Sequence, residues 1–279
     1  MKSLSFVFGA ILVASCAQAN YSVTNHKIRP GEVLWVEFPL KQDNATLNCR
    51  GEEVKFVKQN DKGQAFVRES YFSDLSPFKC VVKSDGKIIT EMNFSVEDRE
   101  YLAEMLKVDP KKIKLSPKAE ARVLKEQAVL NKIYASSVPL FLFSQPFIQP
   151  MSSVVTSVYG TKRVYNKKKK GQHLGIDYRA AIGDKVPAAN AGKIVFSGDL
   201  FYTGWTVIID HGVDIFTVYG HLSKTLVEAG QMVKKGDLIG LSGNTGRTSG
   251  PHLHWGVKVQ GQYIDGLVLI EETKKHFRD

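Results

Sequence analysis

Cysteine is scarce in this sequence: three among 279 residues. A disulfide-dense scaffold that substitutes cross-links for a core is therefore excluded. A thiolate metal cluster is excluded too, because no Cys or His lies at ligand spacing around Cys49 or Cys80. Long apolar runs are also missing beyond the N-terminus. Val138 to Met151 is apolar but is broken by Pro139, Pro146 and Pro150, and falls short of the ~20 residues a transmembrane helix needs. Acidic residues are outnumbered, 28 against 38 basic, for a net charge of +10. What remains is an ordinary globular composition, 43% hydrophobic and 24% charged. The length allows one large or two medium domains, each with its own core.

The first residues read as an export signal. Met1-Lys2-Ser3 is a short basic start, and Leu4 to Ser15 is an apolar run suited to the core of a secretory leader. Ala17-Gln18-Ala19 forms an A-x-A cleavage site, so residues 1–19 are read as signal peptide and the mature chain starts at Asn20. Val13-Ala14-Ser15-Cys16 is a competing lipobox, which would lipidate Cys16 and tether the chain to a membrane. The A-x-A site is preferred, and either way the chain is exported. Export leaves Cys49 and Cys80, an even pair, read as one disulfide closing an N-terminal loop. The leader carries only Lys2, so about +9 of the charge stays with the mature chain. Such a surplus suits an anionic polymer, and export removes nucleic acid as the default partner. Lys167-Lys168-Lys169-Lys170 is the densest basic cluster; it reads as a solvated loop, with a substrate-steering role open because His173 follows.

The pattern along the chain is mainly β. Val33 to Phe38, Val54 to Val57 and Phe78 to Val82 are strand-like, separated by turn signals at Arg29-Pro30-Gly31, Asn60-Asp61-Lys62-Gly63 and Ser84-Asp85-Gly86. Residues 20–97 are thus expected to form a small β-sandwich. A charged helical connector follows over 98–140. Ser116 is its expected N-cap, Pro117 its first residue, and Val123, Ala128, Val129 and Ile133 its candidate buried stripe. Residues 141–279 are again β-rich, with strands expected at Lys193 to Phe196, Thr206 to Ile209 and Ile215 to Tyr219. Gly183 to Val195 and Gly230 to Gly240 share a Gly-x-x-Val flavour, too loose to count as an internal repeat.

The seven histidines are distributed unevenly. His26 and His276 read as surface residues. The rest lie between 173 and 254. If His252 to Val259 is a strand, Leu253, Trp255, Val257 and Val259 share an apolar face, and His252 and His254 share the opposite one. Gly171-Gln172-His173-Leu174-Gly175-Ile176-Asp177 puts a His four residues before an Asp, ~13 Å apart on a straight strand. A shared ion therefore requires a bend, and Gly175 is the residue that would permit it. Thr217-Val218-Tyr219-Gly220-His221 ends another strand, with Tyr219 and His221 expected on one face. Three separate segments thus offer imidazoles and a carboxylate. A catalytic zinc takes three protein ligands and leaves a position for solvent. Spacing leaves open which of His252 and His254 would reach the ion.

At this point the chain resembles the lysostaphin/LytM-type zinc endopeptidases of bacterial peptidoglycan, over roughly its last 130 residues, on the order of one domain. The resemblance rests on H-x-G-x-D at His173 to Asp177, Tyr219-Gly220-His221-Leu222-Ser223, Gly243-Asn244-Thr245-Gly246 and Gly250-Pro251-His252-Leu253-His254, in family order. It implies an antiparallel β-sheet catalytic domain with a duplicated hybrid motif and an open groove. It also implies His173, Asp177 and His254 as ligands of one Zn2+, and His221 and His252 as catalytic non-ligand histidines. His211 is implied as a structural turn residue, and Tyr202 and Tyr219 are weaker candidates for oxyanion contact. One departure is Asp265-Gly266, where the family often has Asp-Pro. The substrate implied is the peptide part of peptidoglycan, with the D-Ala to diaminopimelate cross-link favoured in a periplasmic or cell-envelope setting. An Ig-like N-terminal domain occurs in some relatives and can cover the groove, so autoinhibition is a further expectation.

Two other classes compete. Degenerate relatives lack the ligands and act as non-enzymatic activators of cell-wall amidases; here all five positions are intact. Carrier-type barrels share the Gly-x-x-Val flavour but need a lysine at a hairpin tip, and they leave the histidines unexplained.

Overall fold

A computed structural model describes residues 21–106, 115–165 and 169–278. The signal-peptide and lipobox readings, Cys16 included, and Lys167 and Lys168 lie outside the described residues. No helix among the described residues is long and apolar enough to cross a membrane.

The N-terminal part comprises β1 (Ser22–Ile28), β2 (Val33–Pro39), β3 (Ala45–Cys49), β4 (Glu52–Val54), β5 (Val57–Gln59), β6 (Lys62–Arg68), β7 (Phe78–Ser84) and β8 (Lys87–Val96). They form two sheets, ordered β1-β8-β7-β3-β4 and β2-β6-β5. The run expected as one strand from Val54 to Val57 is split: the chain leaves the first sheet after Val54 and enters the second at Val57. Asn60 and Asp61 take positive φ of 50° and 56° in the two-residue β5–β6 turn, the backbone such tight hairpins require. The period-2 alternation of β2 and β6 gives the smaller sheet two buried faces. Val36, Phe38, Ala65 and Val67 face the sandwich core. Val33, Trp35 and Phe66 face the other way, into the core of the C-terminal domain. There Trp35 stacks on Phe141 at 5.5 Å and meets Phe277 edge-on at 5.3 Å.

The joining segment holds a strand as well as a helix. β9 (Ala103–Leu106) precedes α1 (Pro117–Tyr134), which is capped by Ser116 accepting from the Ala119 N–H. The expected stripe is corrected here. α1 lies on the surface with no fully buried residue, and Val129 is exposed. Its inner side is instead Val123, Glu126, Leu130, Ile133 and Tyr134, half-buried, at the spacing of one helix face. Glu126 accepts from the Phe201 N–H at 2.9 Å and Arg122 bonds the Asp199 carboxylate at 2.9 Å. α1 thereby grips the turn at 199–203.

The C-terminal domain contains β10 (Val155–Ser157), β11 (Lys162–Tyr165), β12 (Lys169–Gln172), β13 (Ile176–Arg179), β14 (Lys185–Pro187), β15 (Gly192–Leu200) and β16 (Gly204–Asp210). It continues with β17 (Ile215–Thr225), β18 (Met232–Val233), β19 (Leu238–Ser242), β20 (His252–Val259), β21 (Gln262–Ile264) and α2 (Gly266–His276). The main sheet runs β10-β13-β20-β17-β16-β15-β18, and β12-β11-β9 form a separate ribbon. The two Gly-x-x-Val segments interlock: β14 of the first pairs with β19 of the second, and the start of β15 pairs with β18. The likeness is thus expressed as reciprocal pairing, although the sequence similarity is too loose to read as a repeat. The Asp265-Gly266 departure also finds a reason. Asp265 caps α2, and a Cβ on Gly266 would lie 2.5 Å from the Trp255 ring.

His211 organises the β16–β17 turn. Its ring is fully buried, with Nδ1 donating to the Ala191 carbonyl at 2.7 Å and Nε2 lying 2.7 Å from the Thr217 hydroxyl. Burial pushes its pKa down to about 4, against ~6.5 for a free imidazole. His26 is half-buried against Phe94, and His276 is exposed and stacks on Trp35.

Two predictions follow from these features. Cys49 and Cys80 sit directly opposite on β3 and β7 and are joined in a disulfide with a separation of 31 residues. Replacing both with Ala should lower stability by about 3–4 kcal/mol in chemical denaturation, from restored unfolded-chain entropy. For His211, the unfolded chain binds the extra proton between pH ~6.5 and ~4. Its contribution is complete above that window and is lost as pH falls through it, about 3 kcal/mol in all. Melting temperature should drop across that range in the native chain and fall less steeply in His211→Gln.

Candidate metal centre and its two flanking histidines

The site is built on three neighbouring strands. β20 lies between β13 and β17, and its antiparallel register sets Asp177 opposite His254 and Gly220 opposite His254 on the other side. Leu253, Trp255, Val257 and Val259 are buried in the core. The alternation of β20 therefore turns His252 and His254 to the opposite face. His173 follows directly on the end of β12, and a bend at Gly175 turns the chain from it into β13.

Three donor atoms converge. His173 Nε2 lies 2.9 Å from Asp177 Oδ1 and 3.2 Å from His254 Nδ1, and His254 Nδ1 lies 2.8 Å from Asp177 Oδ1. His173, Asp177 and His254 are the one group of this kind among the described residues that could hold a metal ion. Tetrahedral zinc with bonds of 2.0–2.1 Å separates its ligand atoms by about 3.3 Å, so the triangle fits such an ion with little movement. The donor set, two imidazole nitrogens and a carboxylate oxygen, suits zinc chemically. His252 Nε2 is farther from Asp177 Oδ1, at 3.6 Å, which separates it from His254, a distinction spacing alone leaves open.

The supporting contacts fix each ring. His173 Nδ1 faces the Val158 carbonyl at 3.2 Å and the Ser157 hydroxyl at 3.1 Å, which directs Nε2 inward. Burial alone would push the Asp177 carboxyl up, but hydrogen bonds from His173 and His254 outweigh it and hold the group well below the ordinary carboxylate range. Burial lowers the His254 pKa, against the pull of Asp177. Gly175 matters for space rather than for conformation. Its φ is not positive, but a Cβ there would sit 2.4 Å from His254 Cε1 and 2.7 Å from Nε2.

His221 departs from the expected geometry. Tyr219 does not share its face: Tyr219 pairs with Trp255, is fully buried, and accepts from the Ala189 N–H. That removes Tyr219 as an oxyanion contact. Simple alternation would send His221 into the core as well. Instead its φ is 61° and the β16–β17 register shifts there, which re-aims the side chain. Its N–H donates to the Thr203 carbonyl at 2.6 Å, and Nδ1 donates to the Thr245 carbonyl at 2.8 Å. Thr245, from the Gly243-Asn244-Thr245-Gly246 motif, is itself tied by its hydroxyl to the Leu222 carbonyl and the Trp205 N–H. Burial, helped by neighbouring His254, pushes the His221 pKa down to about 4. His252 Nδ1 donates to the Gly250 carbonyl at 2.8 Å. His221 therefore keeps an unprotonated Nε2, and the centroids of the His221 and His252 rings are 4.6 Å apart. Tyr202 is exposed at the β15–β16 tip, where its carbonyl accepts from the Arg247 N–H.

Sequence reasoning missed Arg163 and Ser157. Arg163 Nη2 lies 3.0 Å from Ser157 Oγ and 3.4 Å from Asp177 Oδ2. Neither residue lies in a recognisable motif, and their proximity to the site comes from strand pairing distant in sequence.

Residues 171–266 match Peptidase family M23, and this part of the chain is a peptidase M23 domain. The peptidoglycan DD-endopeptidase ShyA of Vibrio cholerae is 40% identical over 114 residues, 40% of this chain and 26% of that protein. The DD-carboxypeptidase/endopeptidase Mpg of Neisseria meningitidis serogroup B is 41% identical over 101 residues, 36% of this chain and 23% of that one. The matching part thus spans about a quarter of these curated relatives. A Pseudomonas aeruginosa crystal structure assigned to peptidase M23 aligns over 87% of this chain and 95% of its own, with a TM-score of 0.70 and 26% identity. That similarity includes the N-terminal half.

The close approach at Gly175 generates a prediction. Gly175→Ala should displace the His254 ring and weaken zinc binding at least tenfold, the scale of a disturbed ligand environment. Competition with a chromophoric chelator measures it; unchanged affinity would show that the ring can move aside.

Proposed function

We propose that the chain is an exported zinc metallo-endopeptidase that hydrolyses amide bonds in the peptide cross-links of peptidoglycan. The observation that carries this reading is the convergence of His173 Nε2, Asp177 Oδ1 and His254 Nδ1 within 3.2 Å, beside two histidines whose Nδ1 atoms are held by backbone carbonyls. His173, Asp177 and His254 would hold the ion. A bound zinc supplies Lewis acidity there, polarising the scissile carbonyl and acidifying solvent.

The protein's own groups handle the protons. His221 enters the reaction neutral, and His221 and His252 both commit Nδ1 to a backbone carbonyl, leaving Nε2 to handle the proton. One takes a proton from the attacking water. The imidazolium so formed donates its Nε2–H toward the tetrahedral oxyanion and then returns that proton to the leaving amine. Buried carbonyl partners keep both rings in one tautomer, so no reorientation is needed between the two steps.

The substrate follows from charge and relatives together. A net charge of +10 favours an anionic wall polymer, and relatives sharing the domain are named peptidoglycan DD-endopeptidases. The D-Ala to diaminopimelate cross-link is the bond assigned, in the periplasm or cell envelope. The apolar run from Leu4 to Ser15 and the A-x-A site support export, with lipidation at Cys16 the route to membrane attachment. The N-terminal domain is best read as a brace. Its contacts include Asp214 through Lys55, Gln260 through Arg68, α2 through Trp35 and, through the Tyr71 hydroxyl, the carbonyl of Gly160, whose own N–H meets the His173 carbonyl. An amidase-activating role needs none of the histidines, so the intact constellation favours the enzyme.

Digestion of defined cross-linked muropeptides by the mature zinc-loaded protein, followed by mass analysis, tests the reading. Cleavage at D-Ala to diaminopimelate is expected. His221→Ala and His252→Ala should each lower kcat by roughly 10²–10⁴, the scale of lost acid–base catalysis, while zinc stoichiometry stays at one. Intact muropeptides with fully loaded wild-type protein would overturn the assignment.

A further inference from the structure

The metal centre is supported from outside the M23 segment. Ser157, Arg163 and Glu104 all precede residue 171, where the family match begins. Arg163 sits on the middle strand of the β12-β11-β9 ribbon. Its register partners are Gly171 on β12 and Glu104 on β9. β9 belongs to the segment that joins the two domains.

The guanidinium joins three groups. Nη2 contacts Asp177 Oδ2, the oxygen not turned to His173 and His254, and it contacts Ser157 Oγ. Ser157 Oγ in turn lies 3.1 Å from His173 Nδ1. On its other edge, Nε lies 3.7 Å from Glu104 Oε2, and this Nε is buried with no hydrogen-bond partner of its own among the described residues. Arg163 thus contacts Asp177 directly and reaches His173 through Ser157. A carboxylate free to rotate would present either oxygen; a cationic Nη2 on Oδ2 favours the orientation that leaves Oδ1 facing the imidazoles.

We propose that Arg163 is a positioning residue for the metal centre, and that Glu104 of the interdomain segment orients it, so that metal affinity depends on the docking of β9. This rests on the zinc reading above. Outer groups that orient metal ligands typically change affinity 10- to 100-fold when removed. Arg163 and Asp177 are both largely shielded, whereas Glu104 is 42% exposed. The Glu104 contribution is therefore screened and smaller.

The test is a double-mutant cycle on zinc affinity, measured by chelator competition in the full-length chain. Arg163→Gln should weaken zinc binding 10- to 100-fold. Arg163→Lys, which keeps the charge but can reach only one of the two acceptors, should lose less. Glu104→Gln should weaken binding roughly two- to fivefold, the scale of an exposed pair, and should add nothing in the Arg163→Gln background. Unchanged affinity in Arg163→Gln overturns the proposal. So does tighter binding, which would mean that repulsion between guanidinium and ion outweighs positioning. Equal Glu104→Gln effects in both backgrounds overturn the role of β9. A wild-type chain that binds no zinc overturns the metal reading itself, and the inference with it.

Discussion

The structure turns on one register: β20 held antiparallel between β13 and β17, with His254 opposite Asp177 on one side and Gly220 on the other. Strand pairing has a period of two, so a slip of one residue would bury both histidines and expose Leu253 and Trp255. The burial of Leu253, Trp255, Val257 and Val259 opposes that slip with the transfer free energy of four apolar side chains, roughly 1.5–3 kcal/mol for each aliphatic one. The hydrophobic core therefore fixes the alignment of the polar site. Gly220 clears room for Thr203 on the neighbouring turn: a Cβ there would lie 3.0 Å from the Thr203 Cβ.

The sheet alone supplies only part of the arrangement. His173 and His221 come from places where regular pairing breaks: a bend after β12 and a bulge at φ 61°. Both irregularities are anchored by backbone hydrogen bonds, from His173 N–H to the Thr161 carbonyl and from His221 N–H to the Thr203 carbonyl. A residue with positive φ persists when its surroundings over-determine it, and here the Thr245 loop and the 199–203 turn do so. α1 grips that same turn through Glu126 and Arg122. The connector thus reaches the site by two routes, α1 on the His221 side and β9 on the Asp177 side.

Much of this was legible in the sequence, for identifiable reasons. The alternation of His252 to Val259 announced both its core face and its histidine face, because period two leaves a direct trace. Ser116-Pro117 announced the start of α1 through local capping chemistry. Donor types spread over three segments pointed to a shared ion, and the choice of His254 over His252 beside His173 and Asp177 came from the family resemblance. What failed depended on non-local pairing. The placement of Tyr219 with His221 assumed an unbroken strand, and the bulge that separates them leaves no mark in residue type. Gly175 was singled out for backbone freedom, yet its missing Cβ matters because it clears the His254 ring. Of the stripe expected on α1, Val123 and Ile133 do lie on its half-buried side, but Ala128 and Val129 are exposed, because a half-exposed helix follows the surface it meets. Arg163 and Ser157 belong to no motif, so only the fold reveals their contact with the site.

These contrasts divide the labour within the site. Groups that gather around the prospective ion sit on or next to paired strands, where a sub-ångström placement can be maintained. The histidines proposed to move protons are aimed by loop carbonyls, Thr245 for His221 and Gly250 for His252. A carbonyl acceptor fixes the tautomer without bringing a charge that would raise the basicity of the ring. Burial then keeps His221 neutral well below neutral pH. Asp177 experiences the opposite balance: hydrogen bonds from His173 and His254 keep it ionised against burial. One small volume thus holds a permanent anion and neutral imidazoles side by side. That combination attracts a divalent cation while leaving lone pairs available for proton transfer, and it exists because strand register, bulge and interdomain ribbon impose three different environments within a few ångströms.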